Sequence, residues 1–137
     1  MTLAGATKFI FGDYEAQCNR LLELVRQGRK TATCAALQDF ESAALDLPIV
    51  GHQEVVLNWD GTPALVIETT SVKIVRFCDV DASFARAEGE DEKLLVWQFN
   101  RQEYFKRNGG FNPKMMIVCQ QFKLVKNLQK RSNGTTN

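Results

Sequence analysis

The chain has 137 residues, of which 45% are hydrophobic and 24% are charged, as expected for one folded domain and not for a disordered segment. Its 17 Lys and Arg residues against 16 Asp and Glu residues leave a net charge of +1, which excludes a general attraction to nucleic acid or acidic membranes. It has no apolar run that could span a bilayer and no secretory signal pattern, so we expect a cytoplasmic protein without a membrane partner.

Four cysteines, Cys18, Cys34, Cys78 and Cys119, are scattered along the chain without a CxxC pair. A disulfide framework is therefore not expected, and neither is a zinc site, because the single histidine, His52, follows a glycine in a predicted exposed turn. We expect buried, reduced thiols at every cysteine except Cys34, whose role the sequence leaves open. No metal or other cofactor is predicted.

The first predicted element is a helix with Asp13 as its N-cap and apolar residues at three-to-four spacing, namely Cys18, Leu21, Leu22 and Val25. Gly28 is placed to end this helix, because glycine readily adopts the left-handed conformation of helix C-termini. The segment "KTATCAAL" (30–37) predicts a strand whose alternation sends Thr31 and Thr33 to one side. Residues 39–46 predict one or two helical turns.

The second half begins with a hairpin signal over residues 53–75, with Asp60-Gly61 in the turn. A helical region follows over 79–108, interrupted near "EGEDE", and then a strand over 114–125. A polar tail over 126–137 is predicted to be mobile. The elements indicate one α+β domain over 1–137, with a core at about 9–125 and a small, mostly antiparallel sheet that is curled or closed.

The stretch "GRKTATC" (28–34) has two interpretations. In the structural one, Lys30 only neutralises the partial negative charge of a helix end. In the functional one, Lys30 points into a cleft, where desolvation lowers its pKa and lets it take a proton from the hydroxyl of Thr33. Thr33 then attacks an acyl carbon. The spacing alone is compatible with both.

The stretch "AEGEDEK" (87–93) contains four acids in five residues. Asp91 is the predicted N-cap of the following helix, which leaves Glu88 and Glu90 in the loop before it. They form either a solvated acidic loop or a carboxylate site that pairs with Lys30 or holds a water or a metal.

Other patterns exclude several activities. The chain has no dinucleotide or P-loop motif and no serine in a nucleophile elbow. Trp97 is expected in the core, whereas Trp59, next to the hairpin turn, is left undecided between packing and base stacking.

Taken in order, "FGD", "GRKTAT", "VGHQEVVLNWDGTPALVIETTSVKIVRFCDVD", "AEGEDEKLLVWQFNRQEYF" and "MMIVCQQFKLV" resemble the ASCH domain family over about residues 9–125. The resemblance implies a PUA-like fold, a small mixed or antiparallel β-barrel with flanking helices. It implies a cleft for RNA or a nucleotide beside the family's GxK motif, which Gly28 and Lys30 match.

The resemblance also implies an activity. Small bacterial members include amidohydrolases of N4-acylated cytidine that use a Lys, a Thr three residues later and a Glu. Lys30 and Thr33 match the first two, and Glu90 is assigned as the catalytic acid, with Glu88 second. Gly28, Arg29, Thr31, Glu88 and Arg101 are the predicted substrate-binding residues.

One departure affects the ranking of functions. Arg101 stands where many relatives have a His, which puts RNA cleavage in doubt, although an arginine could hold a phosphate. We therefore expect an amidohydrolase of a nucleoside first. A non-catalytic module for single-stranded RNA, or a ribonuclease, is the alternative.

Overall fold

The computed structural model of the chain describes residues 7–128 and confirms an α+β fold. None of the helices in this range is long and apolar enough to cross a membrane. The elements in chain order are β1 (Thr7–Phe9), α1 (Glu15–Arg26), β2 (Ala32–Ala36), α2 (Leu37–Ser42), β3 (Gln53–Leu57), β4 (Pro63–Arg76), a short 3-10 turn (Phe77–Asp79), α3 (Ala82–Ala87), α4 (Leu94–Arg107) and β5 (Met116–Asn127).

The strands form one curled, five-stranded sheet with the order β1-β3-β4-β5-β2. It is a mixed sheet, because β1 pairs with β3 in parallel while the other neighbouring pairs are antiparallel. The predicted hairpin is confirmed: the Gly61 N–H donates to the Asn58 carbonyl in the turn between β3 and β4. The short parallel strand β1 was not predicted, since its three residues carry no alternation that sequence analysis can detect.

The helices cover the sheet through two hydrophobic clusters. The predicted apolar face of α1 packs on β3, β4 and β5, where Cys18, Leu21, Leu22 and Val25 are buried beside Val56. The second cluster joins β2 and β5 to α3 and α4, with Trp97 stacked on Phe77 at its centre. Trp97 is thus a core residue, as expected, whereas Trp59 is 40% exposed.

The predicted N-caps of the first and last helices are both wrong. Tyr14, not Asp13, is the N-cap of α1, and Lys93, not Asp91, is the N-cap of α4. In each case the aspartate makes contacts elsewhere: Asp91 accepts hydrogen bonds from the Asn100 amide. Capping preference is a local rule, and long-range side-chain partners override it here.

Two further expectations differ from the structure. Cys18, Cys34 and Cys119 are buried free thiols, but Cys78 is exposed, because it lies in the 3-10 turn at the surface. Strand β5 continues to Asn127, so the first residues of the predicted polar tail pair with β4. Residues 129–137 of that tail lie outside the described range.

Asp13 joins the start of α1 to the end of α4. Its carboxylate accepts two hydrogen bonds from the Arg107 guanidinium, at 3.0 and 3.2 Å, and one from the Asn108 amide at 2.8 Å. These bonds, those from Arg107 above all, lower the pKa of Asp13. A carboxylate with a lowered pKa stabilises the fold above its unfolded-state pKa, and this stabilisation disappears as pH falls through its folded-state pKa.

We expect Asp13→Asn to lower the free energy of unfolding by about 1 kcal/mol at pH 7, since the ion pair is partly exposed and screened by solvent. The difference from wild type should shrink below about pH 4, where Asp13 is increasingly protonated. Urea denaturation at a series of pH values measures this. Asp39→Asn is the matched control, because Asp39 is exposed and forms no side-chain hydrogen bond or ion pair within residues 7–128. An equal loss in both variants would contradict the prediction.

Candidate functional site

Lys30 is buried inside the protein, with only 1% of its surface exposed. Its Nζ donates to the carbonyl oxygen of Ala32 at 2.7 Å and to that of Glu88 at 3.3 Å, and it lies 5.2 Å from the centre of the Phe11 ring. Burial lowers the pKa of Lys30, although the nearby Glu88 carboxylate opposes this shift. The burial and the lowered pKa of Lys30 are those that the functional interpretation of "GRKTATC" requires.

The backbone at Lys30 is fixed by two helix ends. The amide N–H groups of Arg29 and Lys30 both donate to the Leu24 carbonyl at the end of α1. At the end of α3, the Ala87 carbonyl accepts a hydrogen bond from the Thr31 N–H at 2.7 Å. The next carbonyl, that of Glu88, accepts one from Lys30 Nζ. Carbonyls at a helix C-terminus lack partners within the helix, so this docking satisfies them. Lys30 thus also neutralises a helix end, but that of α3 and not that of α1.

A buried charge network lies beside Lys30. Glu88 is fully buried and accepts hydrogen bonds from the Trp97 indole at 2.8 Å and from Arg101 Nε at 2.9 Å. Burial alone would raise the pKa of Glu88, but Arg101 and Lys30 outweigh burial and lower it. Arg101 also pairs with Glu90 at 3.1 Å. Within the described range, Glu88 Oε2 is the buried side-chain oxygen without a hydrogen-bond partner.

A cavity of about 470 Å³ opens next to Lys30. Its walls come from β1, β2, β3, β5, α2 and α4 and from the chain segment before α1. Aromatic rings form much of the wall: Phe9, Phe11, Phe40 and Tyr104. The polar side chains in the lining include Lys30, Thr33, Glu54, Arg101 and Gln120. An apolar cavity of this size with a few convergent polar groups is typical of a small-molecule site.

Two of these polar residues, Glu54 and Gln120, were missed by sequence analysis. Glu54 lies in β3 and Gln120 in β5, and both are nearly buried at 9% and 6% exposure. Burial raises the pKa of Glu54. The available signal was a polar residue inside an otherwise apolar strand, as in "QEVVL" and "MIVCQQF", because buried polar residues need a specific partner.

The predicted site residues divide into three groups by position. Lys30, Thr33 and Arg101 line the cavity. Gly28, Arg29 and Thr31 are exposed residues outside its lining. The two glutamates separate: Glu88 is buried against Arg101, whereas Glu90 borders a different depression of about 360 Å³ with Arg20 and Arg107.

Cys34 also lines the cavity, but burial raises the pKa of its thiol well above the ordinary value. A protonated thiol is a poor nucleophile, so Cys34 is not a candidate for covalent chemistry. Across residues 7–128, no three His, Cys, Asp or Glu side chains gather closely enough to hold a metal ion.

Comparisons with known proteins agree with the resemblance seen in the sequence. Residues 7–126 match the family model of the ASCH domain. A solved protein from Enterococcus faecalis V583 is 33% identical, with 98% of this chain and 85% of that chain covered and a TM-score of 0.86. An ASCH domain from Lactobacillus crispatus JV V101 is also 33% identical, with 86% and 78% covered and a TM-score of 0.79.

More distant similarity supports the fold alone. A mutant ASCH protein from Zymomonas mobilis is 8% identical, with 95% of this chain and 82% of that chain covered and a TM-score of 0.53. The predicted PUA-like architecture is confirmed by the similarity to the ASCH domain from Lactobacillus crispatus. A search of the curated proteins finds no match.

Gly89 allows the loop after α3 to pack directly on the backbone of Lys30. Its φ is +85°, and a Cβ added there would lie 2.6 Å from the Arg29 oxygen and 2.8 Å from Lys30 Cα. We expect Gly89→Ala to destabilise the protein by several kcal/mol, since left-handed strain of about 1–2 kcal/mol adds to a backbone clash. Chemical denaturation, followed by tryptophan fluorescence, measures the loss in the free energy of unfolding.

The matched control for this prediction is Gly61→Ala. Gly61 has a φ of +90°, but nothing lies within 4 Å of the added Cβ, so only the left-handed strain remains. Equal losses in the two variants would mean that the close approach at Lys30 contributes nothing to stability.

Proposed function

The chain belongs to the ASCH domain family, and from this premise we propose that it is a hydrolase that cleaves the amide bond of a small N-acylated nucleoside, of the N4-acylcytidine type. The observation that carries the proposal is the buried amine of Lys30, held in the same cavity as the Thr33 hydroxyl. Two interpretations of "GRKTATC" were open from the sequence. The burial and the cavity favour the functional one.

The hydrogen bonds of Lys30 suit a neutral amine. A neutral amine has two N–H groups and one lone pair, and two carbonyl oxygens, of Ala32 and Glu88, accept from Nζ. No third hydrogen-bond partner of Nζ exists among the described residues. In its neutral form Lys30 would keep its lone pair free as a proton acceptor, and burial favours that form because it lowers the pKa of Lys30.

Thr33 supplies the nucleophile in this proposal. The Thr33 oxygen bonds to the acyl carbon while its proton passes to the Lys30 amine. The bond between the acyl carbon and the amino nitrogen then breaks, and the nitrogen leaves with the proton that Lys30 held. Water attacks the resulting Thr33 ester and gives a proton to Lys30, which returns it to the Thr33 oxygen as the ester bond breaks. The products are the free amino nucleoside and a carboxylic acid.

The charge network has a supporting role. Arg101 is held by Glu88 and Glu90, whereas the Lys30 amine bonds to backbone carbonyls and has no carboxylate oxygen within 4 Å in the described range. A direct ion pair would favour the charged form of Lys30 and weaken it as a base. On these grounds Glu88 and Glu90 act on Lys30 through their fields, with Glu88 the nearer influence.

We expect the purified protein to release cytidine from N4-acetylcytidine. Thr33→Val should lower kcat/KM by about a thousandfold or more, because it removes the nucleophile, whereas Thr33→Ser should retain activity within about tenfold. Lys30→Met should cost about 10²–10⁴-fold. Chromatography of the released cytidine measures each rate.

Thr70→Val is the control, because Thr70 is exposed on β4 and does not line the cavity. A second readout is the pH profile. Because the neutral amine is the active form, kcat/KM should rise with pH, with a midpoint below the ordinary lysine value of 10.5. No cytidine release by wild type, or full activity in Lys30→Met, would refute the proposal.

Binding of single-stranded RNA is the second candidate, favoured by the exposed cations Lys8, which lines the cavity, and Arg29. Arg101 contributes less to RNA binding than the sequence suggested, because its guanidinium is already paired with the Glu88 and Glu90 carboxylates. We therefore expect weak RNA binding with a shallow salt dependence. Fluorescence anisotropy of a labelled oligonucleotide between 50 and 200 mM salt tests this. Tight binding with a slope near −0.7 for each of several phosphates would favour RNA instead.

A further inference from the structure

A hydrogen-bonded row of polar side chains crosses the sheet beside the cavity. The Gln120 amide nitrogen donates to Glu54 Oε1 and, at 2.8 Å, to Thr69 Oγ1. The three residues come from β5, β3 and β4, and Gln120 and Glu54 are 66 positions apart in the chain. Buried polar groups are costly unless paired, so a network at this position needs a reason beyond packing.

The proposed nucleophile, Thr33, lies beside this row by strand register and is not hydrogen-bonded to it within the described residues. Thr33 of β2 is the register partner of Gln120, and Glu54 is the register partner of Ile67, two residues before Thr69 on β4. Directly opposed residues of antiparallel strands share a face, with Cβ atoms about 5 Å apart. Thr33, Gln120, Thr69 and Glu54 therefore follow the strand order β2-β5-β4-β3 across one face of the sheet.

The hydrogen bonds determine which atoms remain for a ligand. Both N–H groups of Gln120 are used, by Glu54 and by Thr69, which leaves its Oε1 as an acceptor. Glu54 uses Oε1 and retains Oε2. Neither of these two oxygens is among the buried atoms that lack a hydrogen-bond partner, so both are accessible to solvent. Both side chains line the cavity. The cavity thus offers two neighbouring hydrogen-bond acceptors, one of them on Gln120, the register partner of Thr33.

We propose that Glu54 and Gln120 are the specificity-determining residues of the cavity and that they bind the N–H-bearing edge of a nucleobase. This inference rests on the proposed function and names how its substrate is recognised. An N4-acylated cytosine keeps an N–H at N4 next to the acceptor N3, and the N–H matches a carboxylate or amide oxygen. The acyl group on the same nitrogen is then oriented toward Thr33, the residue opposite Gln120.

Other ligand classes fit this end of the cavity less well. An organic cation would meet Lys30 and Arg101, and a phosphate would meet the Glu54 carboxylate. A neutral planar ring suits the aromatic walls, which include Phe11 and Tyr104.

Glu54→Gln tests the assignment without changing shape. To keep the hydrogen bond from Gln120, the new amide must present its oxygen to Gln120 and its NH₂ group to the ligand, where a donor then faces the donor of the base. We expect the Kd for cytidine, measured by isothermal titration calorimetry, to rise at least tenfold. Cytidine dimethylated at N4, which lacks the N–H, should bind wild type correspondingly weakly.

Glu68→Gln is the matched control, because Glu68 lies on β4, is half-buried and does not line the cavity. Its Kd should stay within about twofold of wild type, and circular dichroism verifies that both variants fold. With N4-acetylcytidine as substrate, Glu54→Gln should raise KM while kcat changes little, as expected for a residue that acts in recognition.

The outcomes separate this inference from the proposed function. Turnover of N4-acetylcytidine with equal KM in wild type and Glu54→Gln would overturn the inference and leave the function standing. Cytidine binding that is lost in Glu54→Gln, without turnover in wild type, would support the inference and remove the function. A loss of kcat alone, or no cytidine binding by wild type, would overturn the assignment.

Discussion

The burial of the Lys30 amine against the carboxyl end of α3 is the constraint on which the site depends. The amine satisfies the Glu88 carbonyl, and the Thr31 N–H satisfies Ala87, so the loop that enters β2 and the end of α3 hold each other in place. Gly89 makes this contact close enough, because a side chain there would overlap the backbone of Lys30. The structural role of Lys30 and its proposed chemical role therefore coincide in one residue.

Charged residues surround the buried Lys30, but none of the described carboxylates forms a direct ion pair with it. Arg101 takes the Glu88 and Glu90 carboxylates, and Trp97 donates to Glu88. Lys30 is left with neutral carbonyl partners, so desolvation outweighs the field of Glu88 and lowers its pKa. An arrangement in which one cation stays paired and another is desolvated is a common way to obtain a base from lysine at moderate pH.

The curled sheet carries several of the residues that line the cavity beside Lys30. Its register aligns Thr33 with Gln120, and the network from Gln120 continues to Glu54 on the far side of β4. The proposed nucleophile and recognition groups lie on strands, and the proposed base lies in the short connection between α1 and β2, so their positions are better defined than those of residues in long loops. The aromatic side chains supply the apolar walls between them.

Sequence alone determined most of the local elements, because helical spacing, the Gly28 stop and the Asp60-Gly61 turn are local properties. It could not determine which glutamate lies nearest Lys30, why Asp13 fails to cap α1, or that Glu54 meets Gln120. Those outcomes were decided by tertiary structure, since they depend on strand register and on contacts between residues as far apart as 95 positions. No local preference encodes the free energy of such contacts.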